Sequence, residues 1–117
     1  MRRIHIMRTE IRNLDDTTIL GLHGKITIGE GDVLLRKNIK QQIENGKKHL
    51  ILDMKDVKYM DSSGVGELVS SFTTVKNAGG KLKLANLNNR IHDLLQLTAL
   101  ITVFEVFDSV DDAVNSF

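Results

Sequence analysis

The sequence predicts an α/β fold, a mixed β-sheet with about four α-helices in the order β-β-α-β-α-β-α-β-α, on three observations. The 117 residues hold no repeat, low-complexity tract or Pro/Ser-rich linker, so residues 1–117 are expected to form a single domain. Short apolar runs with strand character alternate with apolar stripes at helical spacing. Clusters of Gly, Asn, Asp and Ser fall between these segments, where turns and caps need them. Such alternation requires crossover helices and at least partly parallel strands.

Taken in order, Ile4 and Ile6 alternate with polar neighbours, and Thr17 to His23 is β-branched and apolar. Asn13-Leu14-Asp15-Asp16 reads as the turn of an N-terminal strand pair. Past Gly24 and Gly29-Glu30-Gly31, Leu35, Ile39 and Ile43 recur every four residues up to Asn45-Gly46, predicting an amphipathic helix with a left-handed stop. Leu50-Ile51-Leu52 is a continuous apolar run, as a strand covered on both faces requires. The segment from Asp53 to Gly66 reads as the loop that follows it.

From Val65, the stripe Val65, Leu68, Val69, Phe72 and Val75 predicts a second helix, closed by Gly79-Gly80. Leu82 and Leu84 alternate with Lys81 and Lys83 in a further strand, whose lysines read as solvated or edge-protecting. A third helix carries Ile91, Leu94 and Leu95, and a last strand is expected around Thr102 to Val106. Asp108-Ser109 then offers an N-cap to a short helix with Val110, Ala113 and Val114.

Composition removes several function classes. With sixteen Lys and Arg against fifteen Asp and Glu and 4% aromatic residues, no field or stacking surface suits direct nucleic-acid binding. The absence of cysteine excludes disulfides, thiolate metal sites and a cysteine nucleophile. Charges at Arg8, Glu10 and Arg12 break any leader-like apolar run after Met1-Arg2-Arg3. The stretch Leu94 to Phe104 is too short to span a bilayer, so a cytoplasmic protein without membrane insertion is expected. His5, His23, His49 and His92 lack ligand spacing, and no metal or cofactor is expected. Asp15-Asp16 and Asp111-Asp112 read as turn and helix-start residues rather than acid/base pairs.

Open α/β sheets place their sites beyond the carboxyl ends of the strands. There the chain reads Asp61-Ser62-Ser63-Gly64-Val65-Gly66, joining an acid, two hydroxyls and two glycines at a helix start. Unpaired backbone N–H groups and the helix dipole would accommodate a phosphate on either serine. Ordinary capping by Ser or Asp, with Gly64 and Gly66 permitting close packing, explains the same residues. A nucleophile elbow centred on Ser62 would need glycine where Met60 stands, so no catalytic residue is expected.

Met60-Asp61-Ser62-Ser63-Gly64-Val65-Gly66 resembles the signature of STAS domains, in particular of bacterial anti-sigma factor antagonists. Leu50-Ile51-Leu52-Asp53, Ala78-Gly79-Gly80-Lys81-Leu82-Lys83-Leu84 and Leu94-Leu95-Gln96-Leu97-Thr98-Ala99-Leu100 extend the resemblance over nearly the whole chain. The resemblance implies a non-enzymatic, phosphorylation-gated binding module. Unphosphorylated, it would sequester an anti-sigma factor that is also a serine kinase, freeing the sigma factor. Phosphorylated on Ser62 with ATP held by that partner, it would let go, and a serine phosphatase would reset it.

The resemblance further makes Asp61 a positioning or surface residue of the switch, Ser63 a helix cap, and Gly64 and Gly66 close-approach positions. The family's Gly-Glu-Leu-Asp after the second strand is here Gly24-Lys25-Ile26-Thr27, so Lys25 and Thr27 stand where two acids are usual and alter charge matching with the partner. A monomer or weak dimer is expected. The rival readings are a scaffold subunit of a stress-signalling STAS assembly and a STAS accessory subunit of a transporter. An intact Ser62 favours the switch over bracing, which needs no phosphorylatable group.

Overall fold

The computed structural model describes residues 7–117. A five-stranded sheet has the spatial order β1 (Met7–Leu14), β2 (Thr17–Ile26), β3 (His49–Met60), β4 (Lys81–Ala85), β5 (Val106–Phe107). β1 pairs antiparallel with β2, and the remaining neighbours pair in parallel. Four helices connect or follow them: α1 (Gly31–Glu44), α2 (Ser62–Asn77), α3 (Asn89–Leu97) and α4 (Val110–Asn115). The mixed α/β class and the element order match the expectation from sequence.

The alternation of side chains along each strand divides the core in two. Leu20, Leu22, Ile26, Leu50 and Leu52 pack against Leu35 and Ile39 of α1, Leu68 and Val75 of α2, and Ile91 and Leu95 of α3. On the other face Ile19, Ile51 and Ala85 pack against Ala113 of α4. Leu50-Ile51-Leu52 therefore feeds both cores, which is why that run shows no alternation.

Four local expectations are corrected. Asn13 and Leu14 continue β1, paired with Thr18 and Thr17, and only Asp15-Asp16 turns, with Asp15 at φ 54°. Residues Asp53–Met60 are strand rather than loop, because Met54, Val57 and Met60 bury into the first core while the ladder to β2 shifts register twice. Those shifts break the period of two that would have marked the strand. Thr102 closes a 3₁₀ turn over Leu100–Thr102, and the last strand shrinks to Val106–Phe107. The strand expectation at Ile4 and Ile6 lies outside the described residues.

The fourth correction concerns Lys83, which is 2% exposed rather than solvated. Its ammonium donates to the Ser116 carbonyl (3.1 Å) and hydroxyl (2.8 Å), pairs with Glu105 at 3.1 Å, and sits 4.2 Å from the Phe117 ring centroid. The packing explains the burial: α4 covers this face of the sheet, and the Lys83 ammonium reaches Ser116 just beyond that helix. Lys83→Ala is expected to lower stability by roughly 2–3 kcal/mol, less than a fully buried pair because Glu105 stays exposed to water. Lys83→Met, which keeps the volume, should recover a large part of that loss in urea denaturation.

Candidate functional site

The ends of β2 and β3 lie side by side, with Lys25 opposite Tyr59 and Ile26 opposite Met60. Both strands turn there into helices whose first turns press on the end of β2. A Cβ on Gly64 would lie 1.9 Å from the Ile26 carbonyl oxygen, and one on Gly31 2.3 Å from the Lys25 carbonyl oxygen. Only glycine lets the two helix starts approach so closely.

Asp61 ties these parts together. It is the N-cap of α2, its Oδ1 accepting from the Gly64 N–H at 2.8 Å, while Oδ2 accepts from the Ile28 N–H at 3.0 Å across the β2–α1 loop. That loop is set by Gly29 at φ 93° and by Asp32, whose Oδ1 accepts from Gly29 and Val33. Thr27 is half-buried, and its carbonyl accepts from the Asp32 N–H at 3.1 Å.

The backbone N–H of Ile28, and then that of Gly64, hold the Asp61 carboxyl below the usual carboxylate range. A lowered carboxyl contributes stability above its unfolded value of about 4 and loses it as pH falls through the folded value. Asp61→Asn keeps an acceptor but not the charge. Its deficit in melting temperature relative to wild type should be largest near neutral pH and close toward pH ~3, read by thermal melts across that range. A deficit independent of pH would show that shape, not charge, makes the contribution.

Ser62 is the first residue of α2, exposed at the helix N-terminus immediately after the capping carboxylate. Ser63 is half-buried and does not cap: Asp61, one residue outside the serine pair, already satisfies the N–H that a cap would take. Gly64 is the close-approach position, whereas a Cβ on Gly66 would meet nothing within 4 Å. Gly66 points away from β2 because it stands two residues, more than half a helical turn, beyond Gly64. The close-approach expectation for Gly66 is thus corrected.

The sequence reading missed Ile28 and Gly31. Gly31 had a signal in the Gly29-Glu30-Gly31 cluster, but Ile28 contributes through its backbone N–H, which leaves no mark in side-chain chemistry. Away from this end, His23 Nδ1 lies 2.9 Å from Asp56 and His49 stacks on Phe117 at 4.4 Å. Among the described residues no group of three or more His, Asp or Glu is placed to hold a metal, and no helix is long and apolar enough to cross a membrane.

A parallel-rich sheet with a capped Asp-Ser-Ser-Gly helix start at its carboxyl edge defines the class, and the STAS domain model matches residues 8–113. The chain belongs to the STAS domain family. Within it, the chain is 32% identical over 100 residues to the anti-sigma-B factor antagonist of Bacillus subtilis, covering 86% of this chain and 90% of that one. The crystal structure of a Thermotoga maritima protein superposes with a TM-score of 0.85 at 23% identity, over 92% of each chain. The Bacillus cell fate determinant SpoIIAA in its phosphorylated form superposes with a TM-score of 0.71 at 19% identity, over 93% of this chain and 98% of that one. These two likenesses are of fold.

Proposed function

We propose that the chain is an anti-sigma factor antagonist gated by phosphorylation of Ser62. Unphosphorylated, it sequesters an anti-sigma factor that is also a serine kinase, and the sigma factor is released to direct transcription in the cytoplasm. That partner transfers the γ-phosphoryl group of its own ATP to the Ser62 hydroxyl, the complex separates, and a serine phosphatase restores the hydroxyl. The chain itself supplies no catalysis and works as a monomer or weak dimer.

The observation that carries this reading is Ser62 itself, an exposed hydroxyl on the first turn of α2, directly after Asp61, in a chain 32% identical to an anti-sigma-B factor antagonist. Asp61 fixes the position of that hydroxyl relative to the β2–α1 loop, and Gly64 lets α2 seat on β2. Lys25, Thr27 and the exposed Ile28 lie on the same edge, so the serine stands within a surface and not at an isolated point. A Cβ on Gly66, one turn on from Ser62, would meet nothing within 4 Å, so the surface beside the serine is open there.

Incubation with the purified anti-sigma factor kinase and ATP, followed by phosphopeptide mapping, tests the proposal. Phosphate is expected on Ser62. Phosphate on the half-buried Ser63 alone, or no transfer by a kinase that binds the chain, would overturn it.

A further inference from the structure

Strand β1 forms one edge of the sheet, and among the described residues no strand pairs with its outer side. It is eight residues long, whereas β5 at the opposite edge has two. A long open edge presents a row of unpaired N–H and C=O groups that a further strand can satisfy. Ile11 and Leu14 on this strand are 45% and 47% exposed, although both are large and apolar.

The turn determines which backbone groups face outward. Asp15-Asp16 is a two-residue connection, so its closing pair, Leu14 and Thr17, is hydrogen-bonded. Counting back in twos, Arg12, Glu10 and Arg8 also direct their backbone groups to β2, which leaves those of Asn13, Ile11 and Thr9 pointing away from the sheet. A second copy pairing antiparallel on this edge must therefore match odd-numbered residues with odd and even with even. The charges then choose the register. Centring the pair on Glu10 sets Glu10 against Glu10 and Arg8 against Arg12, and centring it on Arg12 sets Arg12 against Arg12. With Ile11 on the axis, Glu10 of each copy faces Arg12 of the other, Thr9 faces Asn13, and Leu14 lies along the stem of Arg8. Centring on Thr9 also matches Glu10 with an arginine, but it sets Ile11 against Met7, which is already buried in the core of its own copy.

We propose that this edge is a homodimer interface, in which two copies pair antiparallel through residues 8–14 about a two-fold axis at Ile11, joining their five-stranded sheets into one. Charges on an edge strand ordinarily discourage pairing, but here their alternating signs are self-complementary in this register. Glu10 already meets Arg8 and, at 3.7 Å, His23 of its own copy. Exposed pairs of that kind contribute little, and a carboxylate has lone pairs for a further donor, so Arg12 of the second copy can join them. The contact covers one strand per copy, so the dimer is a weak one that forms as concentration rises. A two-fold axis reverses the strand direction. The carboxyl ends of β2 and β3, with Asp61 to Gly64, thus lie at opposite ends of the joined sheet and outside the interface. The inference stands apart from the role of Ser62.

The test is analytical ultracentrifugation of the full chain from micromolar to millimolar concentration, with thermal melts of every variant. Wild type should pass from monomer to dimer across that range. Glu10→Arg sets like charges opposite one another in two symmetric pairs, so it should raise the concentration needed about tenfold. Combining it with Arg12→Glu restores both pairs and should return the midpoint to near the wild-type value. Ile11→Pro removes an outward N–H that β2 does not use, so it should abolish the dimer while the β1–β2 ladder persists. If that variant melts early, the charge reversal and its rescue decide alone. The chain has no cysteine, which permits a direct check of register. Residues in a facing pair of this type have Cα atoms ~4.5 Å apart, within disulfide reach. An oxidised equimolar mixture of Glu10→Cys and Arg12→Cys should therefore cross-link far faster than either variant alone. A chain that stays monomeric throughout, a dimer indifferent to both Glu10→Arg and Ile11→Pro, or a mixture that cross-links no faster than its components overturns the interface, and each leaves the reading of Ser62 untouched.

Discussion

Gly64→Ala should destabilise the protein more than any other single methyl addition at the site. The new Cβ would sit 1.9 Å from the Ile26 carbonyl oxygen and 3.2 Å from the Ile26 Cγ2. A backbone oxygen held in a parallel ladder cannot rotate aside, so α2 must lift from the end of β2. Lifting it opens the contact of Ile26 with Leu68 in the first core and pulls the Asp61 cap away from Ile28. The cost should be on the order of 3 kcal/mol, at the upper end of overpacking effects, and the melting temperature should fall by roughly 10–20 °C. Gly66→Ala supplies the contrast. Its Cβ meets nothing, and replacing a helix-interior glycine removes a backbone entropy cost, so stability should rise by up to ~1 kcal/mol. Urea titration of the two variants decides the matter. A normal midpoint for Gly64→Ala would mean that α2 can slide over β2 without loss.

That pair of glycines also shows where the sequence was legible and where it was not. Both sat in one motif and carried the same expected role. Which of them faces the sheet depends on the helical phase of α2, and that phase follows the buried stripe Leu68, Ser71 and Val75, to which Gly64 belongs at i, i+4, i+7 and i+11 spacing. Gly66, two residues on from Gly64, falls on the opposite face and meets nothing within 4 Å. The longer helices α1 and α2 were legible because their apolar stripes repeat over more than two turns, as with Leu35, Ile39 and Ile43. The second half of β3 was not, because register shifts against β2 place Met54, Val57 and Met60 in the core at intervals of three.

Lys83 marks a different limit. Its alternation with Leu82 and Leu84 correctly gives a strand, but alternation alone makes its face the wet one. The face is covered because α4 returns over β4, and Ser116 and Phe117, more than thirty residues later, supply the partners. Pairings at such separations leave no local trace. Asp61, Ser62, Ser63, Gly64 and Thr27, all singled out in the sequence, lie together on one edge of the sheet. The hydrogen bond from Ile28 to Asp61, which makes the edge a unit, was hidden in the backbone.

Phosphorylation of Ser62 should weaken binding of the anti-sigma factor kinase about 100-fold, equivalent to roughly 2.7 kcal/mol, while leaving the melting temperature nearly unchanged. Two effects of the same charge point in opposite directions. In the free protein the phosphate sits at the first turn of α2, where the helix dipole favours it and water reaches it freely. The neighbouring Asp61 carboxylate repels it, but that carboxylate is already held by the N–H groups of Ile28 and Gly64, so the cap has no reason to open. Against a packed partner the phosphate must shed water and replace a neutral hydroxyl at a fitted contact. Ser62→Asp, with one charge and a smaller head, should reproduce only part of the effect, about tenfold. Ser62→Ala should bind like the unmodified protein and stay bound when ATP is added. Calorimetric titration of the four forms against the kinase, with melts of each, separates the outcomes. Equal affinity for the unmodified and phosphorylated chains would end the switch mechanism, and a collapsed melting transition would assign the lost binding to unfolding at the start of α2.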